Sequence, residues 1–170
     1  MEKLSPWGFN IICGEEVGKS YPFDIAYNAA LVGKFLFCYK KYTEKSIIAL
    51  AEKRSLKIID ITQGYAKCSI AIVSKDALIT GDKQINTAAL KNGIDSLLVT
   101  NEGVNLIGFN NGFIGGASIK IKNKLFFTGD LSSYKDYNRI KDFCAVHSTE
   151  LIYIKDAPLY DYGSPLYLEN

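Results

Sequence analysis

The stretch CSIAIVSKDALITGD, residues 68–82, carries the clearest structural signal in the chain. An apolar run, a polar turn and a second apolar run precede its final Thr-Gly-Asp, which is the pattern of a β-hairpin. The stretch ASIKIKNKLFFTGD, residues 117–130, has the same organisation and ends on the same three residue types. Because the flanks agree as well as the tripeptide, the two stretches predict copies of one repeated unit.

A helix and a third strand follow each of these hairpins. After the first hairpin, Ile85, Ala88 and Ala89 recur at helical spacing before a strand-like run at 96–100. A similar apolar stripe follows the second hairpin and leads into a strand-like run at 150–154. The predicted repeat is therefore strand–strand–helix–strand, or ββαβ.

An earlier copy of the repeat fits the N-terminal part of the chain. It combines a hairpin over 28–38, a helix over 44–54 with Thr43 as N-cap, and a strand over 56–61. The sequence thus predicts one α/β domain built from repeated ββαβ units. The full units lie near three ranges: 26–61, 67–100 and 116–154.

Each end of the chain looks like part of a further unit. Residues 8–13 are similar to a closing strand, and residues 163–168 are similar to an opening strand. Units that cannot bury their own apolar face must stack or close on themselves, which favours an incomplete ring. Strand edges without a partner template association, so we expect self-association through these open edges.

Composition indicates a globular protein and excludes several classes of partner. Of the 170 residues, 48% are hydrophobic and 22% are charged, which is close to the globular average. A net charge of +2 gives no electrostatic case for binding nucleic acid or a membrane surface. No apolar run is long enough to span a bilayer and no signal-peptide pattern is visible, so a cytoplasmic protein is expected.

The motifs of several cofactor and metal classes are missing. The chain has no phosphate loop, no dinucleotide-binding glycine pattern, no nucleophile elbow and no zinc-ligand spacing. The four cysteines lie far apart without a CxxC pair, and three of them fall in apolar stretches typical of a core. We therefore expect reduced thiols, no metal and no cofactor.

Three runs resemble a known family. QGYAKCS at 63–69, GFIGGAS at 112–118 and DYGS at 161–164 resemble an uncharacterised bacterial family of the pentein, or guanidine-modifying-enzyme (GME), fold. The resemblance covers essentially the whole chain. It implies an α/β propeller in which the first strands of short ββαβ units surround a central channel. Family members typically have more units, so it also implies an incomplete propeller that lacks its N-terminal part.

Cys68 is the sharpest candidate for chemistry. It enters a first strand, and the resemblance places the nucleophilic cysteine of pentein enzymes at that kind of position. A thiol attacks as its thiolate and so needs a nearby cation or base. The neighbouring Lys67 would point the opposite way in a strand. The alternative is a small residue chosen for packing, like Ala117 and Gly163 at the matching positions.

Two repeated aspartates and two adjacent glycines are candidates for holding a ligand. Asp82 and Asp130 can pair with a guanidinium or amine, although a helix cap explains the first and a turn explains the second. Gly115 and Gly116 can present backbone N–H groups to an anion, or they can form a tight turn into a crowded strand.

Asn28 and Asp161 complete the candidate set. Asn28 begins an inner strand, where a polar side chain is unexpected, so it either reaches a ligand or is buried with backbone hydrogen bonds. Asp161 either lines the mouth of the channel or serves a turn before Gly163. His147, the only histidine, is expected in a surface loop.

These observations favour a non-catalytic or vestigial pentein-like protein that binds a small polar ligand, or a protein partner, at its channel face. The single histidine lies where the resemblance provides no catalytic histidine. The alternative is a cysteine-dependent hydrolase or transferase for a guanidino or amide substrate. In that case Cys68 is the nucleophile and Asp82 or Asp130 holds the ligand. A third possibility is a structural role in which two copies assemble.

Overall fold

The computed structural model describes residues 11–167 of the chain. Within this range the order ββαβ occurs three times. The first unit contains two strands of a hairpin, a helix and a closing strand. They are β1 (Ala30–Val32), β2 (Phe35–Cys38), α1 (Lys45–Lys53) and β3 (Lys57–Asp60).

The second unit is preceded by a single helical turn, α2 (Ala66–Ser69). Its hairpin, helix and closing strand then follow. They are β4 (Ile70–Ser74), β5 (Ala77–Thr80), α3 (Lys83–Lys91) and β6 (Asp95–Leu98).

The third unit repeats the order without the helical turn. Its elements are β7 (Ser118–Ile121), β8 (Lys124–Phe127), α4 (Tyr137–Val146) and β9 (Glu150–Tyr153). The part of the chain that the structure describes is therefore a mixed α/β protein with three small sheets.

Each unit forms its own three-stranded sheet. The second strand lies in the middle, antiparallel to the first strand and parallel to the third. The helix provides the crossover that a parallel pair requires. Every residue of β2 and β5 is buried, which suits central strands covered on both faces.

The second and third hairpins differ by one residue, and the structure shows where it goes. The register of β4 against β5 shifts between Ile72 and Ser74, whereas β7 pairs with β8 without interruption. The additional residue is taken up as a β-bulge, so the two Thr-Gly-Asp segments still occupy matching places at the ends of β5 and β8.

The three units pack on one another through shared apolar clusters. One cluster joins residues of the first and second units, including Phe37, Ile61 and Leu78. Another joins the second and third units, including Val73, Ile79 and Leu125. Strand β4 contacts both β1 and β7, so the first strands of the units are neighbours. No single unit has a complete core of its own, as expected of a repeat.

The first helix begins at a different cap from the one predicted. The side chain of Glu44 accepts a hydrogen bond from the backbone N–H of Ser46, which makes Glu44 the N-cap. Thr43 instead donates from Oγ1 to the carbonyl oxygen of Tyr39 at 2.9 Å. The hydroxyl of Thr43 therefore stabilises the preceding turn, and Glu44 caps the helix N-terminus.

The predicted partial strands at the two ends do not form in the described residues. Residues 11–13 and 164–167 have no strand structure, while residues 8–10 and 168 lie outside the described range. Gly163 and Ser164 have φ angles of 79° and 75°, which are incompatible with an extended strand. The backbone N–H groups of Tyr162 and Ser164 donate to the carbonyl oxygen of Gly116 instead.

Membrane crossing has no support in the helices of the described range. None of them is both long enough and apolar enough to span a bilayer.

Candidate functional site

Cys68 lies in α2, directly before β4, and only 8% of it is exposed. Its Sγ accepts hydrogen bonds from Asn28 Nδ2 at 3.3 Å and from Ser164 Oγ at 3.9 Å. The two donors come from the first unit and from the C-terminal segment. The surroundings of the thiol are therefore assembled from three distant parts of the chain.

Asn28 holds α2 in place from the other side of a unit boundary. Its Oδ1 accepts from the backbone N–H of Lys67 at 2.7 Å and of Cys68 at 3.4 Å. The first N–H groups of a helix have no partner within the helix, and the side chain of Tyr65 at the N-cap supplies none. The amide of Asn28 is thus explained by backbone hydrogen bonds and also contacts the candidate nucleophile.

Asp161 is buried and uses both of its oxygens on backbone N–H groups. Oδ2 accepts from Phe113 at 2.9 Å, and Oδ1 accepts from Gly163 at 2.8 Å. These bonds fix the C-terminal segment against the run 112–118. Asp161 therefore shapes the surroundings of Cys68 without offering a free oxygen to a ligand.

Gly115 and Gly116 are required by close packing. A Cβ at Gly116 would lie 1.8 Å from Asp161 Oδ1, and a Cβ at Gly115 would lie 2.4 Å from the carbonyl carbon of Ile70. The N–H of Gly116 donates to the carbonyl oxygen of Cys68 at 2.7 Å. The glycine pair is accounted for by a crowded crossing of two chain segments.

Lys67 is a residue of this site that sequence reasoning set aside. It was expected to point away from Cys68 in a strand, but α2 is helical there and that geometry does not apply. Burial lowers the pKa of Lys67, while the neighbouring Cys68 and Asp161 act in the opposite direction. Successive side chains of a helix point in directions about 100° apart rather than opposite ones, so Lys67 need not lie on the far side from the thiol.

Two cavities lie on either side of this cluster and meet at Gly163. The first, called here the aromatic cavity, measures about 530 Å³. Its lining includes Tyr65, Cys68, Phe109, Phe113 and Tyr162. The second, called the polar cavity, measures about 500 Å³. Its lining includes Asp24, Tyr27, Asn28, Lys67 and Ser164.

Asp24 connects the two cavities and was missed by sequence reasoning. Its Oδ2 accepts a hydrogen bond from Tyr65 Oη at 2.8 Å. Burial, and secondly this contact, raises the pKa of Tyr65 to about 12, so the phenol keeps its proton at neutral pH. Oδ1 of Asp24 is buried and has no hydrogen-bond partner among residues 11–167. A buried carboxylate oxygen without a partner is energetically costly, and nothing in the local sequence identifies it.

The two repeated aspartates lie outside both cavities. Asp82 caps α3 by accepting from the N–H of Gln84 at 2.8 Å and of Ile85 at 3.0 Å. Asp130 accepts from the N–H of Ser132 at 2.7 Å and of Asp156 at 3.0 Å, and these bonds lower its pKa. The contacts correspond to the cap and turn roles that were the structural alternatives for these residues.

His147 ends α4 and lies away from Cys68. Its Nε2 is 3.0 Å from Asp95 Oδ2, and its ring packs against Phe143 with a centroid distance of 4.7 Å. It lines neither the aromatic nor the polar cavity. Among residues 11–167, no group of three or more His, Cys, Asp or Glu side chains is arranged to hold a metal ion.

Comparisons with solved structures agree with the resemblance to penteins. The chain is similar to C. jejuni agmatine deiminase, with a TM-score of 0.51 and 12% identity, over 80% of this chain and 52% of the enzyme. A cysteine-to-serine variant of that enzyme with substrate bound gives a TM-score of 0.51 and 13% identity, over 81% of this chain and 53% of the other.

A third structure, DDAH from Pseudomonas aeruginosa as a cysteine-to-serine mutant complexed with citrulline, gives a TM-score of 0.48 and 12% identity. That match covers 75% of this chain and 47% of the other. The chain thus spans about half the length of these solved structures.

The fold of the chain is therefore similar to the pentein fold, as the resemblance predicted. No curated protein matches the sequence. A family model matches residues 1–166 and carries the description "Family of unknown function (DUF6873)". The chain belongs to this family.

Proposed function

We propose that this chain is a non-catalytic pentein-like protein that binds a small polar ligand with a cationic group beside Cys68. The observation that carries the proposal is Oδ1 of Asp24, a buried carboxylate oxygen that has no hydrogen-bond partner in the described part of the chain. An ammonium or guanidinium group supplies the charge and the donors that such an oxygen lacks. The ligand therefore directs its cationic end towards Asp24.

The aromatic side chains around the site suit the same kind of group. Tyr65 bonds to Asp24 through its hydroxyl, and its ring packs against that of Phe113 with a centroid distance of 6.0 Å, both residues bordering the aromatic cavity. Cations bind favourably over such rings, most strongly when water is excluded. The carboxylate and the aromatic rings thus support recognition of one cationic end.

Lys67 supports a ligand that is polar at its other end. It lines the polar cavity together with Asp24, so the cavity contains one negative and one positive side chain. A ligand with two cationic ends would meet repulsion from this ammonium. A guanidino or amino compound with an acceptor group at the opposite end satisfies both side chains.

Binding without catalysis is supported by the contacts of the thiol. Cys68 Sγ receives hydrogen bonds from an amide and a hydroxyl, and the chain's single histidine is bonded to Asp95 elsewhere. A cysteine nucleophile normally has a base within hydrogen-bond reach. In the described part of this chain, the basic side chain nearest to Cys68 in sequence is that of Lys67. The amide of Asn28 is used in hydrogen bonds to α2.

The ligand can be tested with arginine as the probe, since it has a guanidinium at one end and a carboxylate at the other. We expect arginine to raise the melting temperature and to shift amide resonances near Asn28 and Gly163. Asp24→Asn keeps an acceptor for Tyr65 but removes the charge, and should weaken binding about tenfold or more. Asp142→Asn on the exposed face of α4 is the matched control. Equal weakening in both variants, or no binding to the wild type, contradicts the proposal.

The alternative function is a cysteine-dependent reaction on a guanidino or amide substrate. The observation in its favour is the nearness of the Lys67 cation to Cys68, because a cation stabilises a thiolate. Ammonia release from agmatine or arginine measures it directly. Release that disappears in Cys68→Ser would establish the enzyme and overturn the non-catalytic proposal. Its absence, with arginine still bound, supports binding alone.

We also infer that the three units form part of an α/β propeller, with β1, β4 and β7 innermost. The contacts of β4 with both other first strands support this arrangement. An open propeller exposes apolar side chains at its incomplete side, and Ile12 (59% exposed) and Leu166 (85%) are such residues near the two ends of the described chain. We expect self-association, measured by light scattering. A monodisperse monomer at high concentration contradicts it.

A further inference from the structure

A third cavity lies at the opposite end of β4 from Cys68. It measures about 390 Å³ and is bordered by the hairpin turns of all three units. Gly33 comes from the first turn, Lys75 from the second, and Lys122 and Asn123 from the third. The four residue steps of β4 separate this end from the Cys68 end by about 13 Å. We call it the turn cavity.

The three turns meet closely at this point. A Cβ at Gly33 would lie 2.1 Å from the carbonyl oxygen of Lys75, and Gly33 has a φ of 56°. Only glycine combines that backbone conformation with so close an approach. Residues of three separate hairpins are thereby held around one space.

The lining of the turn cavity is strongly basic. Three lysines border it, namely Lys75, Lys120 and Lys122, and His147 borders it as well. The chain as a whole has a net charge of only +2, so this concentration of positive charge is local. Like charges gathered in one concave space repel one another and attract a multiply charged anion.

Among these basic residues, Lys120 has a side chain held in place by a hydrogen bond. It is half-buried on β7, and its Nζ donates a hydrogen bond to Thr149 Oγ1 at 2.8 Å. Thr149 is itself buried, and its hydroxyl donates a hydrogen bond to the carbonyl oxygen of Val73 at 2.9 Å. Lys120 forms no ion pair with any carboxylate in residues 11–167. Two of the three ammonium hydrogens therefore have no protein acceptor in that range.

The nearby acidic groups are already engaged. Asp95 accepts from His147, with Nε2 and Oδ2 3.0 Å apart. Asp76 accepts from Ser74 Oγ at 2.6 Å, and this hydrogen bond is the main reason that its pKa is lowered. Neither aspartate borders the cavity. The ammonium group of Lys120, which forms no ion pair within residues 11–167, thus remains available to a ligand.

We propose that the turn cavity binds a phosphate group, carried either by inorganic phosphate or by a small phosphomonoester. Lysine ammonium groups bind phosphate as point charges, and Lys120 is pre-positioned by Thr149. Asn123 and Ser148 border the same space, and the amide of Asn123 and the hydroxyl of Ser148 are neutral donors. The site shares Ile72 with the polar cavity but none of its charged residues, and it takes an anionic ligand.

Titration with inorganic phosphate and, separately, with glycerol phosphate tests the proposal. Isothermal titration calorimetry at constant ionic strength should give a Kd of about 1 mM or tighter for at least one of them. Amide resonances of Gly33 and Ser148 should shift, while those near Cys68 stay in place. Tighter binding of phosphate indicates the free anion, and tighter binding of glycerol phosphate indicates an ester. Sodium acetate, which carries a single charge, should bind at least tenfold more weakly.

Charge-removing variants supply the decisive comparison. Lys120→Gln retains a donor for Thr149 and should weaken phosphate binding about tenfold, as should Lys75→Gln on its exposed turn. Lys124→Gln is the matched control, because Lys124 lies in the same turn region as Lys122 but pairs with Glu150 outside the cavity. If Lys120→Gln fails to fold, Lys75→Gln carries the test.

Three results would contradict the phosphate proposal. Equal weakening in Lys124→Gln, acetate binding as tight as phosphate, or no binding of either phosphate compound overturns the proposal. Asp24→Asn should leave phosphate binding unchanged, so the outcome is independent of the ligand proposed beside Cys68.

Discussion

The second and third units share one backbone pattern but use it differently. Both form a hairpin, a helix and a closing parallel strand, and both place Thr-Gly-Asp after the middle strand. Yet α2 with Lys67 and Cys68 precedes β4, whereas Gly115 and Gly116 precede β7. A segment with a lysine and a cysteine in one unit thus lies against a packed glycine crossing in the next. The position of a segment follows from the repeat. The residue types within the segment determine whether it packs closely or places polar side chains beside a cavity.

The largest expected effect concerns the cysteines of the two units. Burial raises the pKa of Cys144 to about 11, and its side chain is fully enclosed. This increase lowers its thiolate population at neutral pH on the order of a hundredfold relative to an ordinary thiol. Cys68 borders a cavity. In a Cys13→Ser background, iodoacetamide followed by mass spectrometry should therefore label Cys68 well before Cys144.

Equal labelling rates would mean that both thiols react only after unfolding. Labelling at a denaturant concentration above the unfolding midpoint is the control, and there the two rates should converge.

The glycine crossing of the third unit is the next most sensitive feature. Gly116→Ala places a Cβ against the carboxylate of Asp161, which can move away only by losing its hydrogen bonds from the N–H groups of Phe113 and Gly163. We expect a loss of about 3 kcal/mol in the free energy of unfolding, measured by urea denaturation. Gly93→Ala, at a positive φ but with open space around it, should cost only about 1 to 2 kcal/mol. The reverse order would show that backbone strain outweighs the collision.

The repeated aspartates should show a smaller difference between the units in the free energy of unfolding. Asp82→Ala removes two hydrogen bonds to the first N–H groups of α3 and should cost about 1 to 2 kcal/mol. Asp130→Ala should cost less, since Asp130 holds a solvent-exposed turn, and α4 begins only at Tyr137. Hydrogen exchange should show faster opening of α3 in the first variant and no change in α4 in the second. Equal losses in the free energy of unfolding for the two variants would show that the cap at Asp82 and the turn at Asp130 contribute equally to stability.

The smallest effect is a pH dependence at Asp130. Hydrogen bonds from Asp156 and Ser132 lower its folded-state pKa, so its carboxylate stabilises the fold above the unfolded pKa of about 3.9. That contribution is lost as the pH falls through the lower folded pKa. The difference in stability between wild type and Asp130→Asn should therefore shrink between about pH 5 and pH 2. A difference that grows as the pH falls would contradict the direction of the shift.

Part of the candidate site could be predicted and part could not. Asn28, Cys68 and Asp161 were chosen because they flank equivalent first strands, and the structure does bring them together around α2. Asp82 and Asp130 were chosen for their place in the repeat, but their local cap and turn contacts use their oxygens. Asp24 lies in an irregular segment with no periodicity, so no pattern identifies it.

The sequence by itself determined the three hairpins, the helix after each and the closing strands, with boundaries accurate to about two residues. Periodicity and turn residues are local properties, and they act through backbone sterics and burial of one face. The resemblance in three short runs further indicated the pentein-like fold that the solved structures support.

Only the tertiary structure decided what meets across units. The thiol of Cys68 receives donors that lie 40 and 96 positions away in the chain. The C-terminal segment does not form the predicted strand. The backbone at 163–164 has positive φ angles, and N–H groups of the segment donate to the carbonyl oxygen of Gly116 instead of to a neighbouring strand. Turns of all three units border one cavity, to which Lys75, Lys120 and Lys122 of the second and third units contribute positive charge. Such contacts depend on how units pack, and packing is a property of the whole chain that no local pattern encodes.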